Sequence, residues 1–223
     1  MIERALIFAA GRGERMRPLT DTTPKPLLPV RGKPMIVWHL EALARAGVSE
    51  VVINTSHLAA KFRDALGDGS AWNLRIRYSY EGPAPLDTGG GMLRALAFLG
   101  HEPFIAVNGD IVTDFDFSTL PSNPDGMAHL VVIDNPTQHP NGDFVLRDGR
   151  LHDEIAPRLT FAGIGVYRPS LLDGHSDGTF SMVPILREAM RRGEVTGEHY
   201  RRAWSDIGTP QRLAEINGAL SAD

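Results

Sequence analysis

The chain has 223 residues, which fits one α/β domain, and its 42% hydrophobic against 22% charged residues exclude extensive disorder. Its net charge of −4 disfavours nucleic acid as the main partner, because duplex binding normally needs an excess of basic residues. The absence of cysteine excludes disulfides, thiolate catalysis and cysteine-ligated zinc, and no apolar run approaches the ~20 residues of a membrane span.

The first half of the chain alternates between strand-like and helix-like patterns. Residues 5–10 form a continuous apolar run that ends at glycine, which predicts a strand covered on both faces. This run is short and charges lie around it, so it does not fit a signal peptide, and we expect a cytoplasmic protein without a membrane partner. The same patterns predict strands at 51–53, 74–80 and 104–107 and helices over 34–47, 58–67 and 92–99.

The second half is less regular. Strands are predicted at 130–133, 144–146 and 161–167, with a hairpin turn at Asp148-Gly149. A helical stripe covers 182–190, and a last helix begins at Thr209-Pro210, because Thr is a good N-cap and Pro a good first helical residue. Strands separated by helices indicate right-handed βαβ units. The prediction is therefore a single α/β domain with a mixed, mostly parallel sheet and helices on both faces.

A cationic, glycine-containing loop follows the first strand, where ligands of open α/β sheets bind. Gly11-Arg12-Gly13 allows backbone N–H groups to approach a phosphate, and Arg15 adds a forked donor. Met16 stands where a dinucleotide fingerprint needs a third glycine, and an extended stretch is expected from 20 to 29. The alternative is a flexible surface turn. Residues 1–40 carry seven basic and three acidic residues, or +4, which leaves −8 on the remainder and suits a small anion.

Three further residues suggest phosphate chemistry. Lys25 lies between two prolines, which restrict the backbone and aim the side chain, although a solvated loop lysine is an alternative. Asp110 follows the fourth strand and Asp206 precedes the last helix. Two such carboxylates suit Mg²⁺, which takes one or two carboxylates plus phosphate oxygens. Each aspartate could instead stabilise a local turn.

Four elements together resemble the sugar-1-phosphate nucleotidylyltransferase family. They are GxGxRMxPLT, then PKPLLPV, an Asp at the end of the fourth strand, and WSDIGTP near the C-terminus, in order across essentially the whole chain. The resemblance implies a Rossmann-like nucleotidyltransferase fold in a single domain over 1–223. It also implies that residues 1–110 bind the nucleotide and that residues 111–223 bind the sugar and supply the second metal ligand.

The implied reaction joins an NTP and a sugar 1-phosphate to give an NDP-sugar and pyrophosphate, with Mg²⁺ as cofactor. The resemblance implies that the catalytic residues are Arg15, Lys25, Asp110 and Asp206, the two aspartates being the metal ligands. It implies nucleotide contacts from Ala10, Gly11, Arg12, Gly13, Lys25, Asn54, Glu81, Gly82 and Thr88. It implies sugar contacts from Asn108, Gly142, Asp143, Glu154 and Gly163. Phosphate is an ionised nucleophile at neutral pH, so no general base is expected.

The chain departs from the family pattern at two places. Asp87 stands where many relatives have glycine, which affects base contacts, and the lysine of the family's Glu-Lys-Pro is absent, with Arg158 as a candidate substitute. Within the family, the sequences at 86–91 and 108–110 most resemble those of short bacterial members, and this resemblance implies uridylyl transfer from UTP to N-acetylmuramate 1-phosphate in cell-wall sugar recycling. Guanylyl transfer to mannose 1-phosphate, another hexose 1-phosphate, and a non-catalytic nucleotide-sugar sensor are the alternatives. We expect a monomer by default.

Overall fold

A computed structural model of the chain describes residues 1–218. Its thirteen strands are β1 Arg4–Phe8, β2 Pro29–Val30, β3 Lys33–Pro34, β4 Glu50–Thr55, β5 Arg75–Tyr80, β6 Phe104–Asn108, β7 Ile111–Thr113, β8 Ala128–Ile133, β9 Val145–Arg147, β10 Arg150–His152, β11 Thr160–Tyr167, β12 Val195–Tyr200 and β13 Trp204–Asp206. Its five α-helices are α1 Met35–Arg45, α2 Ala60–Leu66, α3 Asp87–Leu99, α4 Met182–Arg191 and α5 Pro210–Gly218. None of the helices among these residues is long and apolar enough to cross a bilayer.

Nine strands form the central sheet in the order β5-β4-β1-β6-β11-β8-β12-β10-β9. The strands β5, β4, β1 and β6 are parallel neighbours, β11 runs antiparallel to both β6 and β8, and β12 runs parallel to β8. The sheet is therefore mixed and mostly parallel, as predicted. Two small antiparallel pairs, β2 with β3 and β7 with β13, lie outside it.

Helices cover both faces of the sheet because successive strand residues face opposite sides. In β1, Ile7 packs with α1 and α2, whereas Leu6 packs with α3 and α4. A third, smaller core joins Met16 on the loop after β1 to Ile207 and Leu213 near α5. The loop that follows the first strand is thus fixed against the C-terminal part of the chain.

The strands and helices predicted for the first half are confirmed, with bounds that differ by a few residues. The predicted hairpin turn at Asp148-Gly149 joins β9 to β10, and the hydroxyl of Thr209 accepts from the N–H of Arg212 as an N-cap should. The extended stretch expected from 20 to 29 is wrong, because this region and the residues before it form 3₁₀ turns at Glu14–Met16, Leu19–Asp21 and Lys25–Leu27.

Candidate active site

Two adjoining cavities open at the carboxyl ends of the parallel strands. The first has a volume of about 680 Å³ and the second about 320 Å³, and Arg15, Asn108 and Asp110 line both. The register places Asn54 and Asn108 on either side of Phe8, so the ends of β4, β1 and β6 meet along one edge. The position predicted for a ligand is therefore the one at which the chain forms a cleft.

The loop after β1 lines the first cavity with Gly11, Arg12, Gly13 and Arg15. Gly13 has a φ of 62° and leads into a 3₁₀ turn, and its carbonyl accepts a hydrogen bond from the Thr20 hydroxyl at 2.9 Å. A side chain on Gly13 would meet the Thr20 methyl at 3.0 Å and Lys25 Cβ at 3.2 Å. Glycine is thus required here by both conformation and space. Arg15 is exposed, which leaves its guanidinium available to an anion.

Lys25 is buried, with 8% of its surface exposed, and its Nζ lies 2.5 Å from Asp110 Oδ2. A buried ammonium needs a carboxylate or phosphate partner, because water cannot solvate it. The side chains of Lys25 and Asp110 both line the first cavity. The ion pair therefore places a positive and a negative group together at the boundary between the two cavities.

Asp206 is brought beside Asp110 by two short strands. In the antiparallel pair of β7 and β13, Asp206 lies opposite Ile111, and the N–H of Ile207 donates to the Asp110 carbonyl at 2.8 Å. Gln138 donates to Asp206 Oδ1 at 2.6 Å, and Arg212 lies 2.5 Å from Asp206 Oδ2. The Asp206 carboxylate is therefore held on both sides in the second cavity.

The donor set of Asp110 and Asp206 fits a hard divalent cation. Both carboxylates line the second cavity, and Mg²⁺ is commonly held by one or two carboxylates plus substrate phosphate oxygens. Over residues 1–218 there is no group of three or more His, Cys, Asp or Glu side chains suited to hold a metal. The two aspartates predicted as ligands would therefore need oxygen ligands from a phosphate or water.

A buried histidine on α1, His39, lies close to Asp110. It is fully buried, and its Nε2 lies 2.9 Å from the carbonyl oxygen of Ile111, the residue after Asp110. Burial lowers the pKa of His39 from 6.5 to about 4, although the Ile111 carbonyl and the charge of Asp110 oppose this effect. The imidazole is therefore neutral near pH 7, and its Nε2–H donates to the start of β7.

A buried hydrogen-bonded chain lies at the other end of the first cavity. The amide of Asn54 accepts from the N–H of Ala9 and donates to Glu81, both at 2.6 Å, while the second oxygen of Glu81 accepts from the N–H of Leu86 at 2.7 Å. Burial raises the pKa of the Glu81 carboxyl, although these two hydrogen bonds lower it. Asn54 and Glu81, which were predicted to contact the nucleotide, line the cleft, and they also bind the loop 82–86 to the strand ends.

The remaining residues predicted for the nucleotide differ in position. Ala10 and Thr88 line the first cavity, whereas Gly82 is absent from its lining among residues 1–218 and accepts a hydrogen bond from Ser56 through its carbonyl. Thr179 and Gly208 also line this cavity, so the second half of the chain contributes to it. Neither of these two residues was predicted as a contact: Gly208 lies within the WSDIGTP motif, from which only Asp206 was selected, and Thr179 lies in a loop without a motif.

The structure places only some of the residues predicted to contact the sugar in the second cavity. Asn108 and Gly163 line the second cavity, and a side chain on Gly163 would come within 2.7 Å of Asn108 Nδ2. Gly142, Asp143 and Glu154 are outside its lining in the described part of the chain. Asp143 instead bonds His139 and the N–H of Phe161, and Glu154 pairs with Arg147 at 2.6 Å.

The same cavity has polar side chains that the sequence motifs did not indicate. They are Gln138, His139, Thr160 and Arg212. Arg158, considered as a substitute for the family lysine, is outside this lining as far as residues 1–218 show, and its guanidinium bonds the Glu154 carbonyl and Asp153.

Two cavities meet at Arg15 and Asp110 at the carboxyl edge of a mostly parallel sheet, and a glycine loop lines the first of them. This arrangement is that of an α/β enzyme that acts on phosphorylated substrates. Residues 4–142 match the family model described as nucleotidyl transferase, and the chain belongs to this family.

Relatives match over nearly the whole chain. The N-acetylmuramate alpha-1-phosphate uridylyltransferase of Neisseria meningitidis is 48% identical, covering 98% of this chain and 99% of that protein. The enzyme of the same name from Caulobacter vibrioides is 34% identical, over 97% and 96%. The mannose-1-phosphate guanylyltransferase catalytic subunit beta of Drosophila melanogaster is 30% identical, over 93% of this chain and 60% of that protein.

The fold is also that of a solved structure. A proposed glucose-1-phosphate thymidylyltransferase from Bacillus anthracis, crystallised with sucrose, superimposes with a TM-score of 0.83 at 22% identity, covering 99% of this chain and 95% of that one. At this identity the likeness concerns the fold alone. It confirms the Rossmann-like nucleotidyltransferase fold in a single domain.

Proposed function

We propose that this nucleotidyltransferase transfers UMP from UTP to N-acetylmuramate 1-phosphate, giving UDP-N-acetylmuramate and pyrophosphate, in the recycling of cell-wall sugars. Two relatives that carry the name of this activity match the chain over nearly their full length, which supports the substrate pair. The observation that carries the reaction type is the boundary between the cavities, where Arg15, Asn108 and Asp110 line both. Two phosphorylated substrates, one in each cavity, would meet there.

The chemical step is an in-line substitution at phosphorus. A phosphate oxygen of the sugar 1-phosphate forms a bond to the α-phosphorus of UTP, and the bond from that phosphorus to the oxygen bridging to the β-phosphate breaks. Pyrophosphate leaves with that electron pair. The nucleophile is already ionised near pH 7, so no side chain has to remove a proton. The task of the protein is to position two anions and to stabilise the charge on the leaving pyrophosphate.

The cationic residues have separate roles in this proposal. Backbone N–H groups of the loop 11–13 bind the triphosphate, and the exposed Arg15 binds the departing phosphates. Lys25 orients the α-phosphate and the incoming phosphate from its position against Asp110. Asp110 and Asp206 would hold Mg²⁺, which when bound neutralises phosphate charge. Gln138 and Arg212 keep Asp206 directed into the cavity.

The two halves of the chain supply different substrate sites in this enzyme. Residues 1–110 supply most of the UTP site, with Thr179 and Gly208 extending it. Residues from 111 onward, together with Asn108, supply the sugar site. Asn108 and Gly163 contact the sugar. The enzyme acts in the cytoplasm as a monomer on small-molecule substrates.

The test is pyrophosphate release with each of the four NTPs against N-acetylmuramate, N-acetylglucosamine, glucose and mannose 1-phosphates, with and without Mg²⁺. The expected result is metal-dependent turnover with UTP and N-acetylmuramate 1-phosphate at least tenfold above every other pair. A different preferred pair would keep the enzyme class and replace the substrates. Nucleotide binding without turnover for any pair would contradict the activity and favour a sensor.

A further inference from the structure

A segment from the second half of the chain, residues 176–181, forms one wall of the nucleotide cleft. The carbonyl of Phe180 accepts hydrogen bonds from the N–H groups of Gly89 and Gly90 at 2.9 and 3.1 Å, and its N–H donates to the Leu86 carbonyl at 3.2 Å. A side chain on Gly90 would lie 2.0 Å from the Gly178 carbonyl oxygen. The glycines at the start of α3 therefore permit an approach that fixes this wall and places Thr179 in the cleft.

Most polar side chains at this end of the cleft are already engaged by the protein. Asn54 and Glu81 bond each other and backbone N–H groups. The hydroxyl of Thr88 accepts from the N–H of Met182 at 3.0 Å. Asp87 uses one carboxylate oxygen, Oδ1, to accept from the N–H of Thr88 at 2.6 Å.

Where residues 176–181 meet the start of α3, two polar groups in the lining remain available to a ligand. They are Asp87 Oδ2 and the Thr179 hydroxyl, which have no hydrogen-bond partner within residues 1–218 although both residues line the cavity. Asp87 has a φ of 61°, and its hydrogen bond to the next N–H holds the carboxylate in one orientation. One acceptor-only group thus faces the cleft together with one group that can donate or accept.

We propose that Asp87 and Thr179 discriminate uracil from cytosine by accepting the N3–H of the pyrimidine imide and donating to its neighbouring carbonyl. This inference rests on the proposed function, because it assigns the base of the nucleotide to this end of the cleft. Uracil presents N3–H between two carbonyl groups, which matches one carboxylate oxygen and one hydroxyl. Cytosine presents a bare N3, whose lone pair faces the carboxylate unfavourably.

The decisive variant is Asp87→Asn, since asparagine tolerates a positive φ and its amide can donate to the bare N3 of cytosine. A hydrogen bond to a charged group corresponds to a factor of roughly 10 to 100 in binding. We therefore expect the ratio of kcat/KM for UTP to that for CTP to fall at least about tenfold. Asp148→Asn is the matched control, because Asp148 is also exposed with a positive φ of 50° but lies in the β9–β10 turn. It should leave the ratio unchanged.

Thr179→Val removes the hydroxyl and keeps the shape of the side chain. The expected result is a rise of roughly fivefold to tenfold in the KM for UTP, with the KM for the sugar phosphate unchanged, consistent with the loss of one hydrogen bond. Calorimetric titration of UTP and CTP into the same proteins measures base preference without turnover. It separates this inference from the proposed function, because the choice of sugar does not enter.

Nucleotide titrations and turnover assays together decide between this inference and the proposed function. The assignment is supported if the unmodified protein and Asp148→Asn bind UTP more tightly than CTP and Asp87→Asn has lost this preference. The choice of sugar phosphate does not affect this result. An unmodified protein that binds both nucleotides equally overturns it, as does an Asp87→Asn protein with the unmodified preference. A strong UTP preference combined with turnover of a different sugar phosphate contradicts only the proposed function.

Discussion

Acid destabilisation through His39 is the prediction that follows most directly from a single buried group. The folded protein holds His39 neutral with a pKa of about 4, lowered by burial from 6.5. In the unfolded chain the same imidazole binds a proton below about pH 6.5. The unfolded state therefore takes up the proton first as the pH falls, and the free energy of unfolding decreases between pH 6.5 and pH 4.

The size of this effect follows from the difference in pKa. Each tenfold change in a protonation equilibrium corresponds to about 1.4 kcal/mol, so lowering the pKa from 6.5 to about 4 corresponds to on the order of 3 kcal/mol. Such a loss is a large fraction of the roughly 5–15 kcal/mol by which a domain is stable. Stability contributed by keeping His39 neutral is fully present above pH 6.5 and is lost as the pH falls through about 4.

The assay is urea denaturation of the unmodified protein and of His39→Gln at half-unit intervals from pH 7.5 to pH 4. Glutamine keeps a donor for the Ile111 carbonyl but does not titrate, so the difference in unfolding free energy between the two proteins should change by on the order of 3 kcal/mol in favour of the variant. His101→Gln is the control, since His101 is exposed. Parallel curves for the unmodified protein and His39→Gln would refute the reasoning.

Three further outcomes test the site and its supports. Lys25→Met should lower kcat by roughly 10²–10³ with an unchanged circular dichroism spectrum. Lys61→Met, at an exposed lysine on α2, should leave kcat unchanged. Near-normal turnover in Lys25→Met would contradict the role of the ion pair. Gly90→Ala should lower the free energy of unfolding, measured in urea, by about 1–3 kcal/mol. Gly178→Ala should be nearly neutral, because its Cβ would have no neighbour closer than 4.0 Å. Equal effects would mean that the wall of the cleft is not closely packed. Trp204→Phe should cost about 1 kcal/mol by removing the indole hydrogen bond to a β11 carbonyl at 2.9 Å, and an unchanged denaturation midpoint would show that water replaces it.

Local patterns were sufficient to predict the first half of the fold. The strands β1, β4 and β6 are apolar runs buried on both faces, and the helices between them carry apolar residues at helical spacing. The strand β12 was not predicted, because its sequence VTGEHY has neither an apolar run nor clear alternation. The three-residue strands β7 and β13 were also missed, since their pairing depends on residues distant in the sequence.

The candidate site shows the same division. Arg15, Lys25, Asp110 and Asp206 were predicted from motifs, and the structure places all four along one pair of cavities. Their catalytic roles stay predictions. The partners of Asp206 and the position of Thr179 were not predictable, because these residues come from loops and a helix whose placement is set by tertiary packing rather than by local sequence.

The pairing of β7 with β13 has a consequence for the making of the protein. Asp110 and the loop after β1 are synthesised early, whereas Asp206 and the strand that holds it beside Asp110 come near the end of the chain. Synthesis proceeds from the N-terminus, and a domain generally folds as a unit. A nascent or broken chain that retains the nucleotide loop therefore lacks one of the two carboxylates, and the centre is completed only when β13 has joined β7. The order of the sequence thus delays assembly of the site until almost the whole fold exists.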